Sequence, residues 1–469
     1  MIENTFNALQ KNKIFVNTSS IKDRKRKIFS IKNWVLNNRK KIKEAIWNDF
    51  KKPFEETDLT EIYPLITECN HSIKNLGKWT KKIRAKKTLA LAATSGYIKY
   101  EPKGIALIIS PWNYPFQLAI GPLISAIAAG NCVVIKPSEI SKYTADLIEE
   151  MITELFPKNE IAVIKGGKET STELLKLPFD HIFFTGSTEV GKIIMKAAAE
   201  NLTSVTLELG GKSPIIIDET ANLKMASEKI VWGKFLNSGQ TCIAPDYILV
   251  DKKIRTNFVS NLISQIEIFY GKKIETIQEN KSYASIINQH HHQRLKNIID
   301  DAIEYNNKIL HGNFHNNENN FISPTIILTE NDKSDNNSKI NTKEIFGPVL
   351  PIVEYNTLEE AIELVNSKTP PLSVYIFSKN KNNIEKISKF TQSGGVVINE
   401  LMLQFTHPNL PFGGVRESGI GRSHGFAGFK EFSNERSYLK GGIINPIKLF
   451  YPPFSKSKRK LIDYLIRYF

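Results

Sequence analysis

Apolar residues recur every three or four positions near the start of the chain, as in "RKRKIFSIKNWVLNNRKKIKEAIWNDF", among lysines, arginines and asparagines. That period gives each segment one buried face and predicts surface helices up to about residue 95. From residue 97 the texture changes. Short apolar runs, "GIALIIS", "CVVIKPSE", "EIAVIKGG" and "HIFFTGSTEVGK", alternate with helix-like stretches, and a second series runs from "KSPIIIDE" to "SGGVVINE". Such alternation predicts α/β domains with parallel sheets and crossover helices. The polar "HGNFHNNENNFIS" inside the second series is expected to be a surface loop. The uncharged "FQLAIGPLISAIAAGNCVVI" is long enough to cross a bilayer. Pro122 and the Gly130-Asn131 pair instead divide it into a small-residue helix, a turn and a strand from Cys132 to Ile135.

Composition narrows the class. A chain of 469 residues, 41% hydrophobic and 24% charged, is expected to form roughly two or three globular domains. Its three cysteines, Cys69, Cys132 and Cys242, are too few and too scattered for a disulfide framework and suit a reducing compartment. The opening "MIENTFNALQKNKIFVNTSS" carries no signal pattern, so a cytoplasmic location is expected. The net charge of +15 is spread along the chain without a recognition motif or aromatic platform, so nucleic acid is not expected as a partner.

Four segments carry candidate chemistry. "NSGQTCIAPD" sets Cys242 among small and turn-forming residues whose backbone N–H groups would lower a thiol pKa. "VTLELGGKSPIII" ends an apolar strand at Glu208, where partial burial would raise a carboxyl pKa toward that of a general base. "ISPWNYPF" holds Asn113 between prolines, a rigid setting for an amide donor. "FFTGSTEVGK" passes from strand through a glycine turn into a helix, where Gly186 and Gly191 would let a phosphate approach the helix start. It lacks the second glycine of the usual dinucleotide fingerprint. Read singly, each segment has a bland account: a loop cysteine, a solvated carboxylate, a simple turn, a chance glycine pair.

Taken together, "PWNYP", "FTGSTEVG", "LELGGKSP", "NSGQTC", "EIFGPV" and "LPFGGVRESGIG" resemble, in order and spacing, the signature set of the aldehyde dehydrogenase superfamily, most nearly its class 3 and fatty aldehyde branch. The resemblance implies a Rossmann-like NAD(P)-binding domain (residues 1–83 and 103–209, with 410–433 returning to it) and an α/β catalytic domain (210–409). It also implies an oligomerisation sheet (84–102 and 434–442) that pairs a homodimer, and a tail helix (443–469).

The resemblance further implies that Cys242 attacks an aldehyde to give a thiohemiacetal, with Asn113 and the Cys242 N–H holding the oxyanion. Oxidation leaves a thioester, which water activated by Glu208 hydrolyses. Gly186, Ser187 and Gly191 would face the pyrophosphate, Lys136 and Glu139 the adenosine ribose, Glu344 the nicotinamide ribose and Phe346 the ring, with Leu209 also among the cofactor-binding residues. Glu139 repels a 2′-phosphate and Lys136 attracts one, so NAD is favoured and NADP admitted.

The expected reaction is oxidation of medium- or long-chain aliphatic, or aromatic, aldehydes to carboxylic acids. The rivals are a coenzyme A-dependent acylating dehydrogenase or acyl-CoA reductase, which generally lack the base, and a non-catalytic membrane-associated binding protein on the same fold. Tyr63, Tyr114, Ile243 and Phe405 are expected near the substrate funnel, and Arg416 would favour an anionic aldehyde if it pointed there. No metal is expected: adjacent histidines in "QHHHQRL" diverge on a helix, and His291 is read as structural. The tail "KSKRKLIDYLIRYF" puts Leu461, Ile462, Leu465, Ile466 and Phe469 at helical spacing behind a basic cluster. Three readings compete for it: packing on the body or a partner subunit, a gate over the funnel, or peripheral membrane contact.

Overall fold

The computed structural model describes residues 2–88, 91, 93–329, 338–443 and 446–468. The helices Ile2–Asn17, Ile21–Asn37, Arg39–Phe50 and Tyr63–Trp79 come first. The helical texture therefore stops at Trp79, and Ile83–Arg84 and Thr94–Pro102 are strands. Thr94–Pro102 pairs with Ile83–Arg84 on one side and, on the other, with Ser433–Gly441 from far along the chain, a pairing that local periodicity does not encode. Tyr97 and Tyr438 stack across this three-stranded sheet at 4.7 Å.

A six-stranded sheet follows, in the order Gly419–Ile420, Ser204–Glu208, His181–Thr185, Ile105–Ile109, Cys132–Lys136, Ile161–Val163. All neighbours are parallel except the Gly419–Ile420 edge. Side chains alternate between faces. Ile105, Leu107 and Ile109 pack with the first helix, while Ala106 and Ile108 pack under the next helices. The chain leaves Ile105–Ile109 in one direction and returns beside it as His181–Thr185, so strand order reverses between these two. Ligands of such sheets bind at the carboxyl ends of the strands near that reversal.

The second sheet has seven strands, in the order Lys308–His311, Thr325–Thr329, Val349–Tyr355, Tyr247–Asp251, Pro214–Ile217, Ser373–Phe377, Gly395–Ile398. Here Ile215 and Ile217 face one core and Ile216 the other. The segment expected as a loop over 311–323 contains a short ribbon, His315–Asn316 against Phe321–Ile322. Its two apolar residues are buried, and the surrounding asparagines hid them.

Pro122 does not end its helix. Gln117–Ala129 runs through it, and every residue of that helix except Leu118 is buried, which outweighs one missing backbone hydrogen bond.

Candidate active site

The Cys242 turn is built from strained backbone. After the helix Leu223–Phe235, Asn237 (φ 56), Ser238 (φ 51) and Gly239 (φ 72) are left-handed in succession. A side chain at 239 would place its Cβ 2.3 Å from the carbonyl oxygen of Gly347, so glycine alone lets this turn lie against the "EIFGP" segment. Polar side chains hold the turn. Gln240 donates to the carbonyls of Asn237 (3.0 Å) and Ser285 (3.1 Å) and accepts from the Ile287 N–H (3.0 Å). The Asn237 N–H donates to Glu56 at 2.9 Å.

The "PWNYP" segment locks onto the same turn. Asn113 Nδ2 donates to the Gln240 carbonyl at 3.0 Å, and Asn237 Nδ2 donates back to the Asn113 carbonyl at 3.0 Å. The Tyr114 hydroxyl and Thr241 Oγ1 are 2.7 Å apart. Asn113 thus spends one of its two amide protons on the backbone two residues before Cys242, and the amide carries a second.

Cys242 and Glu208 share the wall of one cleft with Leu209, Gln117, Phe405 and His424, around about 520 Å³ of space that is partly open to solvent. Burial pushes the Glu208 carboxyl up to about 8, and the nearby Ser423 and Arg422 oppose this without reversing it. The expected lowering of the Cys242 pKa is not what the structure shows. Burial, with Glu344 and Glu208 nearby, pushes the thiol up to about 12, against the smaller opposing effect of the Cys242 and Ile243 N–H groups. Removing a thiolate from water outweighs donors at the turn.

The remaining candidates gather at the strand ends. Ser187 caps the helix Thr188–Ala199, accepting from the Val190 N–H at 3.3 Å, and follows Gly186 at the end of His181–Thr185. Gly191 packs on Leu209, where a Cβ would stand 2.8 Å from that side chain. Lys136 and Glu139 are ion-paired at 2.6 Å. Glu344 is half-buried, and burial pushes it up to about 7, with Asp246 adding to the rise. Phe346 (φ 47) meets Trp112 edge-on at 5.4 Å, and Trp112 in turn packs on His291 at 4.7 Å.

Sequence reasoning missed the anchors of the Glu344 loop. Lys212 pairs with Asp246 and donates to the carbonyls of Ile340 and Lys343, both at 2.9 Å. Asp246 accepts the Ile345 N–H at 2.8 Å, and Arg294 donates to the Ile345 carbonyl at 2.8 Å. Lys212 and Asp246 each stand alone before a buried strand, the one signal that marked them. Of the expected funnel residues, Phe405 lines the cleft; Tyr63 and Arg416 are exposed, and Tyr114 and Ile243 are buried beside the turn.

Residues 2–438 match the family model described as the aldehyde dehydrogenase family. The chain is 42% identical over 453 residues to the 4,4'-diaponeurosporen-aldehyde dehydrogenase of Staphylococcus aureus (strain NCTC 8325 / PS 47), with 96% of each covered. The chain belongs to the aldehyde dehydrogenase family. It is also 42% identical over 438 residues to the dimeric NADP-preferring aldehyde dehydrogenase of Rattus norvegicus, with 93% of this chain and 94% of that one covered. Such class 3 enzymes are among its homologues. The solved structure described as the substrate-bound state of Staphylococcus aureus AldH is similar at TM-score 0.92 and 41% identity, covering 99% of both chains. This aldehyde dehydrogenase therefore has both the family and the fold that the six segments suggested.

The residues fit the nicotinamide dinucleotide of an aldehyde dehydrogenase. A capped helix start, an ion pair that ribose hydroxyls can join, and the half-buried carboxyl of Glu344 stand around the carboxyl edge of the six-stranded sheet. The buried Thr185 Oγ1, at the end of the strand next to the order reversal, makes no hydrogen bond among the described residues.

Proposed function

We propose that this enzyme oxidises medium- or long-chain aliphatic, or aromatic, aldehydes to carboxylic acids without coenzyme A. The observation that carries the reading is Cys242 and Glu208 on one largely apolar cleft. The Cys242 sulfur attacks the aldehyde carbon. Because burial keeps the thiol protonated at rest, attack is coupled to loss of its proton, and Glu208 is the acceptor on the same wall. The second amide proton of Asn113, with the Cys242 N–H, stabilises the oxyanion. A bound nicotinamide dinucleotide supplies the oxidant; Lys136, Glu139, Ser187 and Glu344 would hold it, with Gly186, Gly191, Leu209 and Phe346 shaping its bed. Glu208 then removes a proton from the water that hydrolyses the acyl-cysteine.

NAD is the preferred cofactor, since the Lys136–Glu139 pair is neutral overall and a 2′-phosphate must displace Glu139. The three-stranded sheet supports a homodimer, because Ser433–Gly441 is a largely exposed edge strand. The tail helix Lys456–Tyr468 supports peripheral contact with an anionic membrane surface, and a reducing cytoplasm would keep Cys242 a thiol.

NADH formation from a chain-length series of aldehydes, without coenzyme A, tests the reading. Turnover in wild type, lost in Cys242→Ala and in Glu208→Gln, is the expected result. NADH formed only when coenzyme A is present would establish the acylating reaction instead.

A further inference from the structure

Oxidising an aldehyde with NAD and water yields a carboxylate, NADH and two protons, and in the mechanism above both protons reach Glu208, which is buried. They need a way out. Among the described residues, buried polar atoms of Gln117 (Oε1), Thr185 (Oγ1) and His424 (Nε2) have no hydrogen-bond partner, the Glu208 carboxyl has none in good geometry with Ser423 nearby, and all four residues line the Cys242 cleft. Unpaired polar atoms clustered on one cavity mark a place for ordered water. A second cavity adjoins the first. They share Gln117, Gly121, Phe405 and His424, and the second adds Glu68.

We propose that the two cavities form a water-filled passage that carries protons from Glu208 to Glu68 and on to solvent, with Gln117 and His424 as positioning residues that orient the water. Gln117 and His424 stand on both cavities, so water held by them would connect the Glu208 side to the Glu68 side. Glu68 is held by the Gly425 N–H at 3.0 Å and the Ser72 hydroxyl at 3.5 Å, both on Oε1. Burial pushes Glu68 up to about 7 and Glu208 to about 8, so neither is a proton trap for the other. His424 is held edge-on by Phe405 at 4.6 Å, and burial pushes its pKa down to about 4. It therefore acts as a neutral hydrogen-bonding group while water carries the charge.

The inference rests on the acyl-cysteine mechanism, and the test separates the two. Stopped-flow mixing of enzyme and NAD with an apolar aldehyde follows NADH and, with a pH indicator in weak buffer, released protons. No NADH from wild type refutes the mechanism itself. With wild type active, Glu68→Gln is expected to keep the rate of the first NADH turnover while steady-state kcat falls about tenfold or more and proton release trails NADH, and His424→Leu, on the cleft wall itself, is expected to show the same trailing release at saturating aldehyde. His424→Gln, which keeps a hydrogen-bonding end, is expected to recover most of kcat. Variants that keep wild-type kcat, or whose first turnover slows in step with kcat, overturn the passage. If Glu68→Gln does not fold, Gln117→Leu carries the same test.

Discussion

Glu208 carries a stability cost that depends on pH. Its folded-state pKa, about 8, lies above the ordinary 4.5, so between those values the folded protein binds a proton that the unfolded chain has lost. Stability therefore falls as pH rises through that window, the reverse of a salt-bridged carboxylate. Glu208→Gln removes the penalty. We expect it to melt near wild type at about pH 5 and to be more stable by on the order of 2–4 kcal/mol above about pH 8. Thermal melts across that range check this, and an advantage that shrinks with rising pH would refute it. The same titration gives wild-type kcat an ascending limb near pH 8. At the cofactor end, Glu139 is 48% exposed on its side chain while Lys136 is 5% exposed, so the carboxylate is the partner that moves aside. Glu139→Gln should raise kcat/KM for NADP relative to NAD by roughly five- to tenfold. An unchanged ratio would place the 2′-hydroxyl elsewhere.

At the scale of elements, the segments around Cys242 stand on a buried ionic scaffold. Lys52 and Glu61, both fully buried, are paired at 3.1 Å, and Glu61 Oε2 accepts the N–H groups of Phe116 (3.1 Å) and Gln117 (2.9 Å) at the start of the helix Gln117–Ala129. Lys52 also sits 3.9 Å over the Tyr114 ring. Glu61→Gln removes that ammonium's hydrogen-bonded carboxylate and leaves Glu56 as the remaining charge near it, so it is expected to destabilise by about 3 kcal/mol. Adding Lys52→Met should return part of the loss, and denaturant unfolding of both single variants and the double variant measures it; additive losses would deny the coupling. None of this was legible in the sequence. Lys52 and Glu61 lie in a charge-rich stretch of sequence where a buried pair reads like any solvated one. The strands read well because Val, Ile and Phe runs buried on both faces leave an uninterrupted apolar signature. The segments that gather at the cleft were legible as short quoted stretches because a turn, a cap and a close approach each demand particular residues, as Gly239 and Ser187 show. The Cys242 pKa was not, since desolvation depends on what covers the sulfur rather than on its neighbours in the chain.

For the whole molecule the tail is the part the body does not explain. No residue of Lys456–Tyr468 is buried, and Ile462 and Leu465 of the apolar stripe are only partly covered; Phe469, counted in that stripe, lies outside the described residues. Tyr464 and Ile466 are exposed, and Lys456, Lys458, Arg459, Lys460 and Arg467 supply positive charge. Among the described residues no helix is long and apolar enough to cross a membrane. A basic helix with an apolar face binds in the interfacial plane of anionic lipid, each cation contributing about 1 kcal/mol near the surface. Long-chain aldehydes dissolve in the same lipid, so such docking would bring the cleft to its substrate. We expect wild type to float with phosphatidylserine-containing vesicles and to detach as salt rises. A chain truncated after Ser455 should stay soluble, keep kcat/KM on a short water-soluble aldehyde within about twofold, and lose its advantage on long-chain aldehyde presented in vesicles. If truncation instead halves the particle mass by light scattering while vesicle binding is absent in both proteins, the apolar face belongs to the partner subunit and the membrane reading fails.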